Sequence, residues 1–144
     1  MLSRAHILEL IPHQGTMCLL DEVTEWSERA ITCRTRSHLT PDNPLRRDGR
    51  VSGLCGIEYG LQAAALHGAL RAGGMQPIGY LAVLRSVEIV DVWLDDPSHG
   101  ALDVTAELEL SDVSGLIYDF RLRSSSGHTL LTGRATIALP ADLA

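Results

Sequence analysis

One carboxylate, Glu58, stands in a segment of otherwise apolar or small residues and is the side chain best placed to do chemistry. The segment runs Ser52-Gly-Leu-Cys-Gly-Ile-Glu-Tyr-Gly-Leu-Gln-Ala-Ala-Ala-Leu-His-Gly-Ala-Leu70. On a helical projection, apolar residues flank Glu58 on both sides, which predicts a buried helix. Burial disfavours the charged form, so we expect the pKa of Glu58 to be raised. A carboxyl group of this kind suits general acid or base catalysis.

The polar neighbour of Glu58 on this helix is Gln62, one turn further on, where the two side chains are placed to share a hydrogen bond. The alternative interpretation is structural: Glu58 pairs with an Arg of a distant strand and holds the helix in place. Buried ion pairs often add little net stability, so the sequence favours the chemical interpretation.

Composition narrows the class of protein. The chain has 144 residues, 45% of them hydrophobic, and a formal net charge of −6. This length predicts a single domain over residues 1–144 with a real core. The acidic balance argues against nucleic-acid binding. With no signal peptide or membrane-spanning run in the sequence, we expect a cytoplasmic protein.

The cysteine pattern gives no indication of a metal site. Cys18, Cys33 and Cys55 form no Cys-x-x-Cys pair and lie in apolar segments. Buried free thiols are therefore expected, with no metal, disulfide framework or cofactor.

Proline, glycine and other residues that end helices and strands divide the chain into two predicted helices and a set of predicted strands. A short helix is predicted for residues 3–10, and the long one ends at Gly73-Gly74. A charged loop spans 40–50. Alternating and continuous apolar runs predict the strands, at 17–26, 30–38, 80–94, 102–110, 116–122 and 129–139.

A helix that is apolar on every side must be surrounded by the sheet. Gly in a helix interior costs about 1 kcal/mol relative to Ala, so close packing must favour the small residues here. They are Gly56, Gly60, Ala63, Ala64, Gly68 and Ala69. The pattern predicts an α+β hotdog fold, in which one curved antiparallel sheet wraps a single long helix.

Two segments resemble the bacterial 3-hydroxyacyl-[acyl-carrier-protein] dehydratases. Leu10-Ile-Pro-His-Gln-Gly-Thr-Met-Cys-Leu-Leu-Asp-Glu-Val23 is similar to their N-terminal Leu-Pro-His…Leu-Leu-Asp-x-Val segment. Gly53…Glu58-Tyr-Gly-Leu-Gln62-Ala-Ala resembles their Pro-Gly…Glu-Ala-Met-Ala-Gln helix. Within this group, Gly53, Gly56-Ile-Glu58 and Gln62 most resemble the thioester dehydrases of aryl-polyene biosynthesis.

The resemblance implies a reaction and a site. In these enzymes a histidine removes the C2 proton of a 3-hydroxyacyl thioester on acyl carrier protein, and the helix carboxylate handles the departing hydroxyl. Glu58 matches that carboxylate, and Gly53 matches the residue whose N–H polarises the thioester carbonyl. Gln62 matches the amide that orients the acid. Leu54, on the Glu58 face, completes the expected substrate-binding set.

The catalytic histidine is where the chain departs from the family pattern. Members of the fatty-acid type carry it in a Gly-His-Phe-Pro run, and Pro44 stands at that place here. His13, in the N-terminal motif near the expected tunnel mouth, is the best substitute base. A structural hydrogen bond that pins its loop is the equally open alternative. His67 is expected to be packed in the core or at an edge, His99 and His128 to be solvated, and His6 and His38 to have no catalytic context.

Three functions remain open at this point. The favoured one is the dehydratase, with Glu58 as acid and His13 as base. The others are a thioesterase in which Glu58 activates water, and a catalytically inactive acyl-binding or heterodimer partner of another hotdog subunit. An unpaired sheet edge predicts a homodimer, and a hetero-oligomer with another hotdog subunit is the alternative.

Overall fold

The computed structural model describes residues 1–76 and 79–139. Two α-helices and seven strands form the framework, and a 3₁₀ turn at Gly53–Cys55 leads directly into the long helix. In chain order the elements are β1 (Leu2–Ser3), α1 (Arg4–Leu10), β2 (Glu22–Trp26), β3 (Ala30–Thr35), α2 (Gly56–Ala72), β4 (Tyr80–Ile89), β5 (Leu102–Asp112), β6 (Gly115–Arg123) and β7 (Thr129–Ala138). Within the described residues, no helix has the length and apolar character needed to cross a bilayer.

The strands form one antiparallel sheet in the order β1-β2-β3-β5-β6-β7-β4. Helix α2 packs on one face of this sheet, chiefly against β5, β6 and β3. The buried core lies between them and includes Tyr59, Leu66, Val104, Phe120, Leu122 and Leu131. The predicted α+β hotdog architecture is therefore confirmed.

Two of the predicted strands, at 17–26 and 80–94, are shorter in the structure because their ends bond to other segments. The strand predicted at 30–38 also ends early, at Thr35, before a 3₁₀ turn at Ser37–Leu39. Strand β2 begins only at Glu22, because the side chain of Gln62 forms hydrogen bonds with the backbone of Met17 and Leu19 in the preceding segment. At the far end of β4, residues 90–94 turn away to pair with the start of the helix. There Leu94 N–H donates to the carbonyl of Val51 at 2.9 Å. Sequence pattern alone does not reveal such long-range pairing.

The sheet covers only part of helix α2, and this corrects the prediction of a helix buried all round. Leu54, just before the helix, is 58% exposed, and the Glu58 side chain is 38% exposed. Ala65 is also exposed, one further turn along the same face. One face of the long helix is thus left open by its own sheet.

Close packing explains two of the three helix glycines. A Cβ at Gly60 would lie 2.4 Å from Cδ2 of Phe120, and one at Gly56 would lie 3.1 Å from Leu122. The Phe120 ring also fills the space above Gly133, where a Cβ would lie 2.6 Å from its Cζ atom. At Gly68, by contrast, a Cβ meets nothing within 4 Å among the described residues.

We expect Gly60→Ala to lower the free energy of unfolding by about 1–3 kcal/mol, because overpacking against Phe120 outweighs the helix-propensity gain of about 1 kcal/mol. The matched control, Gly68→Ala, enters open space and should raise it. Urea denaturation of both variants checks this, and equal stability of the two would contradict the packing argument.

Candidate active site

Glu58 and His13 come together from two different parts of the chain. Glu58 lies in the first turn of α2, and His13 follows helix α1 and Pro12. His13 Nε2 is 3.8 Å from Glu58 Oε1, and the two side chains are 26% and 38% exposed. The Nδ1 atom of His13 is buried and has no hydrogen-bond partner among the described residues. This side chain therefore shows no hydrogen bond that pins its loop.

The surroundings of Glu58 do not match the structural interpretation of this carboxylate. In the part of the chain that is described, its ion-pair partner is His13, and no arginine lies within pairing distance. Glu58 is also half-exposed, so the chain alone does not provide the burial that the sequence predicted. A carboxylate that is accessible and next to an imidazole is available for proton transfer.

The pair lies at one end of a groove of about 670 Å³. By the rise of about 1.5 Å per residue, the helix wall from Glu58 to Ala72 is roughly 20 Å long. The walls are mostly apolar, with Arg71 and Gln76 at the far end. Residues of α2 and of the opposite sheet face line it, including Leu61, Ala65, Gly68, Leu81, Leu116, Tyr118 and Ile137.

Gln62 does not bond to Glu58, which corrects the predicted orienting role. Its side chain is fully buried and points to the segment before β2. The Nε2 group donates to the carbonyl of Met17 at 2.7 Å, and Oε1 accepts from the N–H of Leu19 at 2.9 Å. Both ends of the amide are therefore used to hold the chain that follows His13.

Gly53 has a packing reason to be glycine, and its N–H is already occupied. That N–H donates to the carbonyl of Val92 at 2.7 Å, and a Cβ would lie 2.1 Å from the carbonyl oxygen of Asp91. The family resemblance implied that this N–H binds the substrate, but in the structure it is not available to a ligand. The next one, of Leu54, has no backbone acceptor among the described residues. It lies at the positive end of the helix dipole.

The other histidines lie outside the groove. Burial lowers the pKa of His38 to about 4, and its Nε2 donates to the carbonyl of Gly100 at 2.8 Å. His67 is packed in the core, as predicted, beside the hydroxyl of Tyr118 at 2.7 Å. His99, predicted to be solvated, is 7% exposed because it reaches the carbonyl of Trp93. His6 and His128 are exposed.

Two groove residues had weak signals in the sequence. Tyr118 belongs to an alternating strand, which does not show that its ring faces a groove. Arg71 lies in the last turn of α2, where a cation is favourable for the helix dipole and so draws no attention. By contrast, the helical spacing of the sequence does place Ala65 and Ala72 on the same face of α2 as Glu58.

Solved structures with the same fold include dehydratases and thioesterases. The dehydratase heterocomplex ApeI:P from Xenorhabdus doucetiae superposes with a TM-score of 0.79 at 23% identity, over 95% of this chain and 92% of that chain. A hypothetical thioesterase with coenzyme A from Streptococcus pneumoniae has a TM-score of 0.61 at 15% identity, over 83% and 84%. The PaaI protein of the E. coli phenylacetic acid degradation operon has a TM-score of 0.60 at 12% identity, over 81% of each chain.

Sequence comparison identifies the family to which the chain belongs. No curated protein sequence matches the chain. A family model, that of the ApeP-like proteins, described as ApeP dehydratase, matches residues 5–144. Because this match spans nearly the whole chain, the protein belongs to the ApeP-like family of dehydratases.

Proposed function

We propose that the protein dehydrates 3-hydroxyacyl thioesters, carried on acyl carrier protein, to the 2-enoyl thioesters. The observation that carries this proposal is the pairing of Glu58 with His13 at one end of an apolar groove. Membership of a dehydratase family supports the reaction type, and the groove has the apolar walls that an acyl chain requires.

The geometry suits an elimination that needs one base and one acid. His13 Nε2 takes the proton from C2, and the C2–H electrons form the C2=C3 double bond. Glu58 gives its proton to the 3-hydroxyl as the C3–O bond breaks, and water leaves. With the two groups 3.8 Å apart, the proton on His13 then returns to Glu58 and restores the starting state.

Negative charge develops on the thioester carbonyl oxygen during removal of the C2 proton. The N-terminus of α2 is the natural place for it, because unpaired N–H groups and the helix dipole favour negative charge there. Among the described residues the Leu54 N–H has no backbone acceptor, whereas that of Gly53 donates to the carbonyl of Val92. We assign the carbonyl-polarising role to Leu54.

We further propose that the protein works in the cytoplasm as an assembly of hotdog subunits, and that a homodimer is its basic form. Strand β4 is an outer strand of the sheet, and nearly all of its side chains are exposed. The strand and the residues after it present a row of large apolar side chains: Tyr80, Leu81, Val83, Leu84, Ile89, Val90 and Val92. Such an edge favours pairing with a second sheet.

Glu58→Gln should lower the rate of enoyl-thioester formation by about two to four powers of ten, because the amide keeps the shape and cannot transfer a proton. Stability should stay unchanged, since no arginine pairs with Glu58 in the described residues. Near-ultraviolet absorbance of the enoyl thioester measures the rate, and the melting temperature measures stability.

His13→Ala should give a comparable loss without unfolding, whereas Glu107→Gln, on the exposed side of the sheet, should retain full activity. Full activity of Glu58→Gln would refute the proposal. Release of free thiol by the wild-type protein would identify a thioesterase, and neither product would indicate an inactive partner subunit.

Gln62→Leu should lower the free energy of unfolding by about 1–3 kcal/mol, since it leaves the buried Leu19 N–H without a partner and removes the bond to the part-buried Met17 carbonyl. It should also slow dehydration, because the chain that follows His13 loses its anchor. The control for stability is Gln76→Leu, whose amide bonds nearby exposed carbonyls among the described residues; because Gln76 lines the groove, this variant is not a control for the rate. Faster hydrogen exchange at the Leu19 amide is the diagnostic measurement; unchanged exchange would count against the anchor.

Leu84→Glu should convert the dimer to a monomer, because it places a charge in the edge that β4 presents to a second subunit. Leu84 is 36% exposed, and the matched control Leu110→Glu changes a 52% exposed leucine on β5, three strands away. Light scattering at micromolar concentration gives the mass. A wild-type monomer with full activity would overturn the proposed assembly.

A further inference from the structure

Gly68 is the helix glycine that the sheet does not explain. The sheet side chains Leu122 and Phe120 lie against Gly56 and Gly60, whereas a Cβ at Gly68 would meet nothing within 4 Å among the described residues. Glycine is unfavourable in a helix interior, so an open position there calls for another reason. Gly68 lines the groove that begins at Glu58 and His13.

The groove is continuous past this position. Along α2 its wall passes from Glu58 through Leu61, Ala65 and Gly68 to Ala72. Gly68 lies ten residues beyond Glu58, or about 15 Å along the helix axis. A large side chain at this point would therefore narrow the passage between its two halves.

The two ends of the groove differ in chemistry. Glu58 and His13 occupy one end, and Arg71 and Gln76 line the other. The Arg71 Nε atom is 3.5 Å from Glu28 Oε2, so the guanidinium is part of an ion pair rather than an apolar wall. The hydrocarbon-like part of the groove thus extends from the reacting pair to just beyond Gly68.

We propose that this groove holds the acyl chain of the substrate in an extended form, and that Gly68 admits chains long enough to pass Ala65. The inference rests on the proposed dehydratase function and deepens it. It assigns a long-chain 3-hydroxyacyl thioester as the substrate class. Short acyl chains end before Gly68 and do not depend on it.

The experiment compares the full-length wild type with Gly68→Leu and with the matched control Gly74→Leu. Among the described residues, a Cβ at Gly74 would also meet nothing within 4 Å, and Gly74 is not part of the groove lining. The substrates are 3-hydroxybutyryl and 3-hydroxyhexadecanoyl thioesters on acyl carrier protein. Melting temperature and light scattering accompany each assay, and Gly68→Ala gives a graded intermediate.

Gly68→Leu should lower kcat/KM for the hexadecanoyl substrate by about tenfold or more, the scale of a blocked hydrocarbon pocket. Its kcat/KM for the butyryl substrate should stay within about twofold of the wild type, and Gly74→Leu should match the wild type on both. An equal loss on both substrates, or no loss, would overturn the inference. Loss on both with dissociation of the dimer would show that Gly68 serves subunit packing.

A binding measurement separates this inference from the proposed reaction. If the wild type dehydrates neither substrate, calorimetry with saturated hexadecanoyl-pantetheine and butyryl-pantetheine replaces the rate assay. Tighter binding of the hexadecanoyl ligand that Gly68→Leu weakens by about tenfold would support the groove while the reaction fails. Equal affinity of the two proteins for the hexadecanoyl ligand would overturn it.

Discussion

The side-chain amide of Gln62 connects helix α2 to the N-terminal third of the chain, and the geometry around Glu58 depends on that connection. Its two hydrogen bonds go to the backbone of Met17 and Leu19; the bond to Leu19 is buried and the bond to Met17 is part-buried. A second anchor acts on the same stretch, because the hydroxyl of Ser37 donates to the carbonyl of Leu19 at 2.6 Å. That hydroxyl also bonds to Tyr59, the residue after Glu58. Fully paired buried polar groups of this kind fix one arrangement of the chain.

Much of the architecture follows from local signals in the sequence. Alternating residues identify β5 and β6, and the glycine pair at 73–74 ends the long helix at the correct place: Gly73 adopts a left-handed conformation, with φ of 81°. Gly56 and Gly60 indicate a helix in close contact with a sheet, which few folds other than the hotdog require. The prediction of Glu58 as the reactive group came from its isolation among apolar neighbours, a property of the sequence alone.

The details of the site depend on contacts between residues far apart in the chain, and the sequence does not encode these locally. The bond from Gly53 to Val92 occupies the N–H that the family resemblance assigned to the substrate. Likewise, the partners of Gln62 lie more than forty residues away, so its spacing from Glu58 suggested the wrong bond. Burial of His99 arises from the same turn of chain after β4. The open face of α2 was not predicted because its residues are apolar. An apolar residue can be covered by the core, by a ligand or by a partner subunit, and the sequence does not distinguish these.

Glu58 and His13 both belong to one chain, and this has a consequence for how an assembly of such subunits can evolve. In the proposed reaction each subunit carries its own acid and base, so a neighbouring subunit need supply neither. Selection on that neighbour then acts on its contact edge and on the shape of the groove rather than on proton transfer. A duplicated copy of the chain is thereby free to lose either group and to persist as a scaffold.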